Sequence, residues 1–487
     1  MQKFSDIVDI KHTVLKEVAK HAFAGDLNET YFKIPQDLIQ GYKPHFRCCV
    51  YHERAIIAQR VDLAMGKNPD GTTMEDNQQI VQILPSACEG CPITKITVTD
   101  NCRGCLAKKC MRSCPFGAIT ATDGKAMIDK EKCRECGRCV AACPYNAIVD
   151  IERPCIHSCQ VGAISIDEND LAAIEEKKCI NCGNCVTGCP FGAISDVSAM
   201  TNVITALTHK EYPIYAIVAP SIEGQFGAAH LASIKQAICK LGFDKVYEAA
   251  FGADMVAYHE SHELVERVKE GKKLTSSCCP AFVSLVQKHF PELKDVVSSG
   301  VSPMVAAERF IRKENENAII VFIGPCIAKK HEVASLYQDE IDFVLTFEEL
   351  DAMLHAQEIK IDEEPMQQDD ATRFGKGFAI TGGVAKAVVQ VLAERDEQTP
   401  IEVGKCTGAA ECKKALNLLK AGKLTDDFLE GMYCDGGCIA GPATLEELRN
   451  SRRVFEKLRN DNTKEKVLHN VESNDANATN PRRPDNE

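Results

Sequence analysis

The chain contains a pair of adjacent thiols, Cys278 and Cys279, in a stretch that runs from Leu274 to Phe282. Neighbouring side chains leave the backbone in different directions, so one thiol can bind a metal while the other faces a pocket. An isolated pair of this kind is usually two small core residues. However, the 487 residues include 26 cysteines, too many for an ordinary cytosolic enzyme, and the chain is too long for a small disulfide scaffold. Metal ligation is the natural alternative.

Most of the other cysteines lie in a short internal repeat between Cys88 and Cys189. Each clear copy ends in Cys-Pro; the copies are Cys102-x2-Cys105-x4-Cys110-x3-Cys114, Cys133-x2-Cys136-x2-Cys139-x3-Cys143 and Cys179-x2-Cys182-x2-Cys185-x3-Cys189. The second and third copies match the bacterial ferredoxin run, and the first has two extra residues in its middle. Zinc is the alternative, because Cys-x2-Cys pairs also build zinc sites. The third cysteine and the Cys-Pro ending favour iron-sulfur clusters.

In a two-cluster ferredoxin, the fourth cysteine of one run binds the cluster of the other run. This exchange predicts one 4Fe-4S cluster on Cys102, Cys105, Cys110 and Cys143, and a second on Cys133, Cys136, Cys139 and Cys114. Clusters in succession form a path for electrons, and a centre at its end must produce or consume them.

Four remaining cysteines are interpreted as a ferredoxin half that is split by an insertion. Exchange with the Cys179 run then predicts a third cluster on Cys88, Cys91, Cys155 and Cys189, and a fourth on Cys159, Cys179, Cys182 and Cys185. The iron-sulfur region would span 88–195, with a two-cluster module at 101–150 inserted between 88–100 and 151–195.

The rest of the chain divides by composition and periodicity. Residues 1–87 have helical spacing of apolar residues and no evident role, and Cys48 and Cys49 there are interpreted as structural or free thiols. Residues 210–455 alternate strand and helix patterns, which predicts an α/β domain with mixed or parallel sheets after α+β ferredoxin-like domains. The polar segment 456–487 is predicted to be disordered.

Charge and hydropathy exclude some classes of protein. The net charge of −13 argues against a general nucleic-acid binder. The N-terminus has no basic stretch followed by an apolar core, and no run of about eighteen apolar residues occurs. These features predict a cytoplasmic protein without a membrane span; they leave the oligomeric state open.

Three cysteine islands in the α/β region resemble the signature segments of the FeFe (iron-only) hydrogenases. They are Cys278-Cys279-Pro280, Pro325-Cys326-Ile327-Ala328-Lys329-Lys330-His331-Glu332 and Cys434-Asp435-Gly436-Gly437-Cys438. The resemblance covers roughly residues 88–450. Phe282, Ser276 and Gly324 stand where that family usually has tryptophan, threonine and methionine, which indicates a divergent clostridial-type subgroup.

The resemblance implies an H-cluster, in which a 4Fe-4S cube is bridged through a cysteine sulfur to a two-iron unit with CO, cyanide and a dithiolate. Four cysteines would hold the cube: Cys279, Cys326, Cys434 and the bridging Cys438. Met432 would pack beside the two-iron unit, and Lys329, oriented by Glu332, would pair with a cyanide. Cys278 would be the free thiol that hands protons to the open iron.

The resemblance also implies a proton path from Cys278 through Glu260, Ser298 and Glu263 to solvent near Arg267. From spacing alone, Glu260, Glu263 and Arg267 share one helical face and would be interpreted as an exposed charged surface with ordinary ion pairs. Cys239, Cys406 and Cys412 match no ligand position and are interpreted as packing residues.

These features predict an oxidoreductase that interconverts dihydrogen with protons and electrons, relayed by four accessory clusters to a ferredoxin-like carrier. Alternatives are a hydrogen sensor with low turnover and a protein of iron-sulfur assembly. Between residues 101 and 140, nine Lys or Arg outnumber four Asp or Glu. These basic residues either form a docking surface for an acidic ferredoxin or are scattered charges that keep the protein soluble. Dedicated maturation proteins would be needed to install the two-iron unit.

Overall fold

The computed structural model describes residues 6–74, 79–88, 91, 95–362, 370–476, 479 and 481–483. Its N-terminal part is helical and consists of α1 (Ile7–Ala24), α2 (Leu27–Thr30), α3 (Ile34–Leu38) and α4 (Val50–Ala64). Helix α1 begins at Asp6, whose side chain accepts a hydrogen bond from the Asp9 N–H and so caps the helix. The buried face of α1 packs against the main core of the catalytic region.

The cysteine-rich region is built from short strands and single-turn helices. They are β1 (Val81–Ile83), α5 (Pro85–Cys88), β2 (Ile96–Val98), α6 (Lys109–Ser113), β3 (Ile119–Thr122), β4 (Lys125–Ile128), α7 (Arg138–Ala142), β5 (Ile148–Asp150), α8 (Pro154–Ser158), β6 (Ile164–Ile166), β7 (Ala172–Ile174), α9 (Asn184–Gly188) and β8 (Ile194–Asp196).

The strand pairs of this region are nested. Strand β2 pairs with β5 and encloses the β3–β4 hairpin, while β1 pairs with β8 and encloses everything between them. An inner unit that sits inside an outer one is the arrangement expected of an inserted two-cluster module. Because β1 lies at 81–83 and belongs to the outer unit, the iron-sulfur region begins a few residues earlier than residue 88.

The catalytic region contains two parallel sheets with helices around them. Its elements are α10 (Met200–His209), β9 (Ile214–Val218), α11 (Leu231–Lys240), β10 (Lys245–Glu248), α12 (Ala249–Lys269), β11 (Leu274–Thr275), α13 (Pro280–His289), α14 (Pro303–Glu314), β12 (Ile319–Gly324), α15 (Ile327–Leu336), β13 (Phe343–Thr346), α16 (Phe347–Ala356), α17 (Arg373–Gly377), α18 (Gly383–Glu394), β14 (Val403–Thr407), α19 (Gly408–Lys420), β15 (Phe428–Met432), α20 (Leu448–Asp461) and α21 (Val467–Ser473). The larger sheet has the order β10-β9-β12-β13, and the smaller one β11-β15-β14.

Parallel strands covered by helices on both faces are buried along their length. Strands β9 and β12 follow this rule, since Ile214 and the run Ile320–Ile323 are almost completely buried. The predicted α/β class preceded by ferredoxin-like domains is therefore confirmed.

The prediction of a disordered tail from residue 456 is wrong for its described part. Helix α20 continues to Asp461, and α21 follows with Val467 and Val471 fully buried. Asn470 Nδ2 donates to Asp254 Oδ2 on α12 at 3.0 Å. Polar composition predicted disorder, but two valines at i and i+4 are enough to dock a short helix onto an existing core.

Candidate active site

The three cysteine islands meet because each follows a parallel strand. Cys278 comes shortly after β11, Cys326 after β12 and Cys434 after β15. The carboxyl ends of parallel strands lie at one edge of a sheet, which is where α/β proteins place their ligand sites. The two sheets of the catalytic region thus bring residues more than 150 positions apart to one cavity.

That cavity spans about 840 Å³ of space not filled by atoms, part of which is open to solvent. Its walls include all five predicted cysteines, namely Cys278, Cys279, Cys326, Cys434 and Cys438. The remaining lining is mostly apolar and includes Met432, Met304 and Phe322. A buried apolar chamber with thiols and few other polar groups suits a soft metal cluster rather than a polar substrate.

Burial raises the pKa of all four predicted cube ligands. It raises the pKa of Cys326 to about 12, with a further contribution from the neighbouring Cys279. The pKa of Cys434 and of Cys438 also rises, first from burial and then from the other thiols of the set. Thiolates that repel one another in an apolar cavity need a bound cation to be stable, so the four residues fit an iron-sulfur cube.

Gly324 shapes the cavity wall through its lack of a side chain. A Cβ at this position would lie 2.6 Å from the ring of Phe322. Phe322 is buried and lines the cavity. The ring therefore occupies the space beside Gly324, where a larger side chain at 324 would collide with it.

Lys329 carries a positive charge into the cavity. It lies in the first turn of α15, is only 7% exposed, and donates to Glu332 Oε2 at 2.7 Å. Its ammonium is close enough to lower the pKa of Cys326 and Cys438 against the larger, opposite effect of burial. The salt bridge to Glu332 fixes the lysine in this position, as the sequence analysis expected.

Cys278 differs from the cube ligands in its surroundings. Its pKa is raised well above the usual value by burial and then by the nearby carboxylate of Glu260. A thiol in this environment keeps its proton at neutral pH. The cube ligands share this raised pKa, so the feature that sets Cys278 apart is the neighbouring Glu260, which makes it the candidate for proton transfer.

Glu260 on α12 is completely buried, and burial raises its pKa to about 8. Its Oε1 accepts hydrogen bonds from the Ser277 N–H at 3.0 Å and from the Ser277 hydroxyl at 3.1 Å. Its Oε2 is buried and has no hydrogen-bond partner in the described part of the chain. A carboxyl group of this kind can gain and lose a proton near neutral pH.

Glu263 lies one turn further along α12 and is held by the loop at 298–300. Its Oε2 accepts from the Ser298 hydroxyl at 2.9 Å and from the Ser299 N–H at 2.9 Å. Arg267 Nη2 lies 3.7 Å from Glu263 Oε1 at the partly exposed end of this group. The structure thus brings Glu263, Ser298 and Arg267 together.

The connection between the two glutamates differs from the sequence-based path in one respect. The recorded hydroxyl partner of Glu260 is Ser277, whereas Ser298 bonds to Glu263. The two hydroxyls are neighbours, since a Cβ on Gly300 would lie 3.3 Å from Ser298 Oγ and 3.4 Å from Ser277 Oγ. Ser277 was missed, although a hydroxyl directly before Cys278 was a signal in the sequence.

Arg483 also contacts the proposed proton path, and the sequence did not predict this. Its backbone N–H donates to Ser299 O at 2.8 Å, and its guanidinium donates to Gly300 O at 3.0 Å and Ser277 O at 2.9 Å. Its charge acts to lower the pKa of Glu260, against the larger effect of burial. No pattern in the sequence linked a polar tail to this loop.

The structure brings members of each accessory cysteine set close together. Burial raises the pKa of Cys155 to about 11, with further contributions from Cys189, Cys88 and Cys91. Burial also raises the pKa of Cys185, Cys110 and Cys139, and neighbouring cysteines raise each of them further. These neighbours are Cys182, Cys179 and Cys159 for Cys185, Cys105 and Cys143 for Cys110, and Cys133 and Cys114 for Cys139. Each predicted set of four therefore has at least three members close together.

The spacing of these sulfurs bears on the choice between iron and zinc. Four thiolates around one tetrahedral zinc ion, with bonds of about 2.3 Å, lie about 3.8 Å apart. Among the described residues, the one trio of His, Cys, Asp or Glu ligand atoms within 4.8 Å is His12, Asp351 and His355. The cysteine sets are spread more widely, as a cluster requires.

Backbone amides point at several of these sulfurs in a repeated way. Ala147, Ala163 and Ala193 donate their N–H to the sulfur four residues earlier, at 3.2–3.3 Å. These alanines belong to the Gly-Ala-Ile and Asn-Ala-Ile tripeptides of the repeat. Hydrogen bonds to cluster sulfurs help to set reduction potentials, so these amides would tune any cluster that the cysteines hold.

The last accessory set lies beside the catalytic cavity. Cys182 lines that cavity, and it is among the charged neighbours of Cys434. Helix α13 is held against the same loop, since Lys288 Nζ donates to Cys179 O at 2.7 Å and the His289 ring lies 2.9 Å from Lys178 O. An electron could therefore pass between the two sets over a short distance.

Family comparisons agree with this geometry. Residues 212–442 match the model of the iron-only hydrogenase large subunit, C-terminal domain. Residues 94–148 match a 4Fe-4S dicluster domain, and residues 149–200 match an LdpA Fe-S cluster-binding domain. These matches support an FeFe hydrogenase-family protein.

Individual relatives share 30% or less of their aligned residues with this chain. Iron hydrogenase 1 of Clostridium pasteurianum is 30% identical over 64% of this chain and 64% of its own length. The NADP-reducing hydrogenase subunit HndD of Solidesulfovibrio fructosivorans is 25% identical over 67% of this chain and 58% of its own. The chain thus spans about three fifths of these two relatives. A solved FeFe hydrogenase structure covers 60% of this chain and 96% of its own, at 20% identity and a TM-score of 0.49.

In the described ranges, no helix combines the length and apolar character that crossing a membrane would require.

Proposed function

We propose that this protein catalyses the reversible reduction of protons to dihydrogen at an H-cluster. The observation that carries the proposal is the set of side chains in one cavity: four thiols that fit a cube, a fifth thiol beside the Glu260 carboxyl group, and Cys182 at the wall. When bound, the two-iron unit would supply the metal site at which the hydrogen–hydrogen bond forms or breaks. The cube would be held by Cys279, Cys326, Cys434 and Cys438.

The residues of the chain would supply and remove the protons. Cys278 holds a proton at Sγ and is recharged from Glu260, whose pKa of about 8 suits transfer near neutral pH. The hydroxyls of Ser277 and Ser298 connect Glu260 with Glu263, and Glu263 meets the surface beside Arg267. Lys329 would pair with an anionic ligand of the two-iron unit, and Met432 would pack beside that unit.

Electrons would travel through four accessory 4Fe-4S clusters to or from a ferredoxin-like carrier. The inserted module is the natural entry point, because basic residues predominate there and Leu106, Phe116 and Tyr145 are exposed. Its cysteine ligands need reducing conditions, so we place the protein in the cytoplasm. Maturation proteins would install the two-iron unit.

Activity is tested with anaerobically matured protein and reduced viologen, with hydrogen measured by gas chromatography. We expect sustained hydrogen evolution from reduced viologen, and hydrogen uptake when an oxidised dye is supplied instead. Turnover that stays near zero in protein with a complete two-iron unit would favour the hydrogen sensor instead.

Carrier docking is tested with the double variant K108E/K109E. We expect slower turnover with an acidic ferredoxin and a weaker dependence on salt, while viologen activity stays unchanged. The variant E168K, at an exposed site outside the module, is the control. Unchanged ferredoxin kinetics and salt dependence in K108E/K109E would remove the docking proposal.

A further inference from the structure

A second cluster of metal-binding side chains lies away from the cavity, where the N-terminal helix meets the catalytic region. His12 is on α1, and Asp351 and His355 lie one turn apart on α16. One ligand atom from each residue lies within 4.8 Å of the other two. No sequence pattern linked the trio, because His12 lies more than 330 residues before the other two.

The two imidazoles approach the two oxygens of a single carboxylate. His12 Nε2 lies 2.9 Å from Asp351 Oδ2, and His355 Nδ1 lies 3.3 Å from Asp351 Oδ1. The rings are nearly perpendicular, with centroids 5.0 Å apart. Three donors on two helices therefore converge on one small volume.

The hydrogen bonding around His12 is incomplete. His12 Nε2 is buried and has no hydrogen-bond partner in the described part of the chain, even at 2.9 Å from the carboxylate. Buried ring nitrogens are normally satisfied. His355 Nδ1 also lies 2.9 Å from the Asp351 carbonyl oxygen. A cation among these atoms would satisfy the ring nitrogens and the carboxylate together.

We propose that His12, Asp351 and His355 bind a divalent transition-metal ion of the Zn²⁺ or Fe²⁺ class. Two imidazole nitrogens and one carboxylate oxygen suit these ions better than Mg²⁺ or Ca²⁺, which prefer oxygen. The His355 side chain is 57% exposed, so water can complete the coordination shell. The site is separate from the cysteine sets and does not depend on the proposed hydrogenase activity.

The ion would fasten the N-terminal helical region to the catalytic region. One residue before His12, Lys11 forms salt bridges with Glu348 on α16 and with Asp196. A metal one turn further along α16 would add a second connection between the same helices. This gives the region before the first cluster a structural role that its sequence did not reveal.

The test uses protein with its clusters intact, treated with a mild chelator and titrated anaerobically with ZnCl₂ by calorimetry. Iron content measured before and after shows that no cluster cysteine has been freed. We expect one saturable zinc site, at least tenfold weaker in H12Q and in H355Q. The control is H21Q, because His21 pairs with the carboxylate of Asp26 at 2.9 Å without a second imidazole.

A thermal readout separates a fastening metal from loose surface binding. Zinc should raise the unfolding temperature of the wild type and of H21Q, and should have little effect on H12Q or H355Q. If H12Q does not fold, H355Q carries the test, because its side chain is largely exposed. Absence of a saturable site, or equal affinity in all four proteins, would overturn the proposal.

Discussion

The adjacent thiols Cys278 and Cys279 have unequal surroundings, and this inequality separates ligation from proton transfer. Both line the cavity with three other cysteines, but the neighbouring charge with the largest effect on the pKa of Cys278 is that of Glu260. The sequence motif predicted this split through resemblance, and the positions of the side chains now supply a physical reason. Ser277 could not be assigned from the motif, because its partner lies on another element.

Substitution of the two thiols should give opposite results. C279A should lose cube iron, because a ligand of the cluster is gone. C278A should retain its iron and lose about 10²–10⁴-fold in turnover, the usual range for a missing general acid. Iron analysis and hydrogen evolution measure the two effects, with C239A at an exposed cysteine as the control. Equal iron loss in both variants would contradict the assignment.

Glu260 should make stability depend on pH. Its pKa is raised from about 4.5 to about 8, so the folded protein holds a proton that the unfolded chain releases between these values. The contribution of this group is complete below about pH 4.5 and is lost as the pH rises through about 8. E260Q should therefore flatten the fall in unfolding free energy between pH 5 and 8.

Denaturant titrations at several pH values measure this difference. The exposed Glu266 lies on the same helix, and E266Q serves as the matched control. An identical pH dependence in the wild type and E260Q would show that Glu260 is ionised in the folded protein.

Helix α15, which follows Cys326, is held in place by buried ion pairs. It begins directly after Cys326 and carries Lys329 and Lys330. Lys330 is buried and donates to Asp196 Oδ2 at 2.7 Å and to Glu349 Oε1 at 2.8 Å. Two further elements, the strand β8 and the helix α16, thus hold α15 in place.

Removal of Asp196 should destabilise this arrangement. D196N leaves the buried ammonium of Lys330 with one carboxylate partner, Glu349, and weakens the salt bridges of Lys11 as well. Loss of a partner from a buried ion pair costs about 3–5 kcal/mol. We expect lower unfolding free energy and lower iron occupancy of the cube. D100N, in an exposed pair with Lys125, should leave both unchanged. Normal stability of D196N would mean that the network is not required.

The C-terminal segment should affect proton transfer without affecting iron. R483Q removes the guanidinium donors to Ser277 O and Gly300 O, which position the two hydroxyls of the path. We expect reduced turnover and an altered pH profile at full iron content. R482Q, at the exposed neighbour, should change these less. An unaltered pH profile in R483Q would limit that residue to a structural role.

In the molecule as a whole, successive sets of cysteines lead from the nested strand pairs of the cysteine-rich region to a buried cavity. Ligand spacing was sufficient to predict this order, because cluster geometry imposes the same short intervals in every copy of the repeat. Composition was insufficient for the tail, because burial of Val467 and Val471 depends on helices far away in the sequence. Contacts between distant elements, such as that of Arg483 with Ser277, cannot be predicted from local sequence patterns.

The nested arrangement predicts the result of opening the outer unit. The double variant C88S/C91S should lose about one cluster, or four irons per chain, because both residues belong to a single set with Cys155 and Cys189. Iron analysis against the wild type measures the loss. Unchanged iron content would mean that the split half does not bind a cluster.

The central claim is that the five-cysteine cavity holds an H-cluster. Infrared spectroscopy of the matured protein in the region of CO and cyanide stretching vibrations tests it most directly. The cavity as described predicts sharp bands in that region, which shift under hydrogen and persist in C278A. Protein that has its full iron complement after maturation and shows no such bands would contradict the claim.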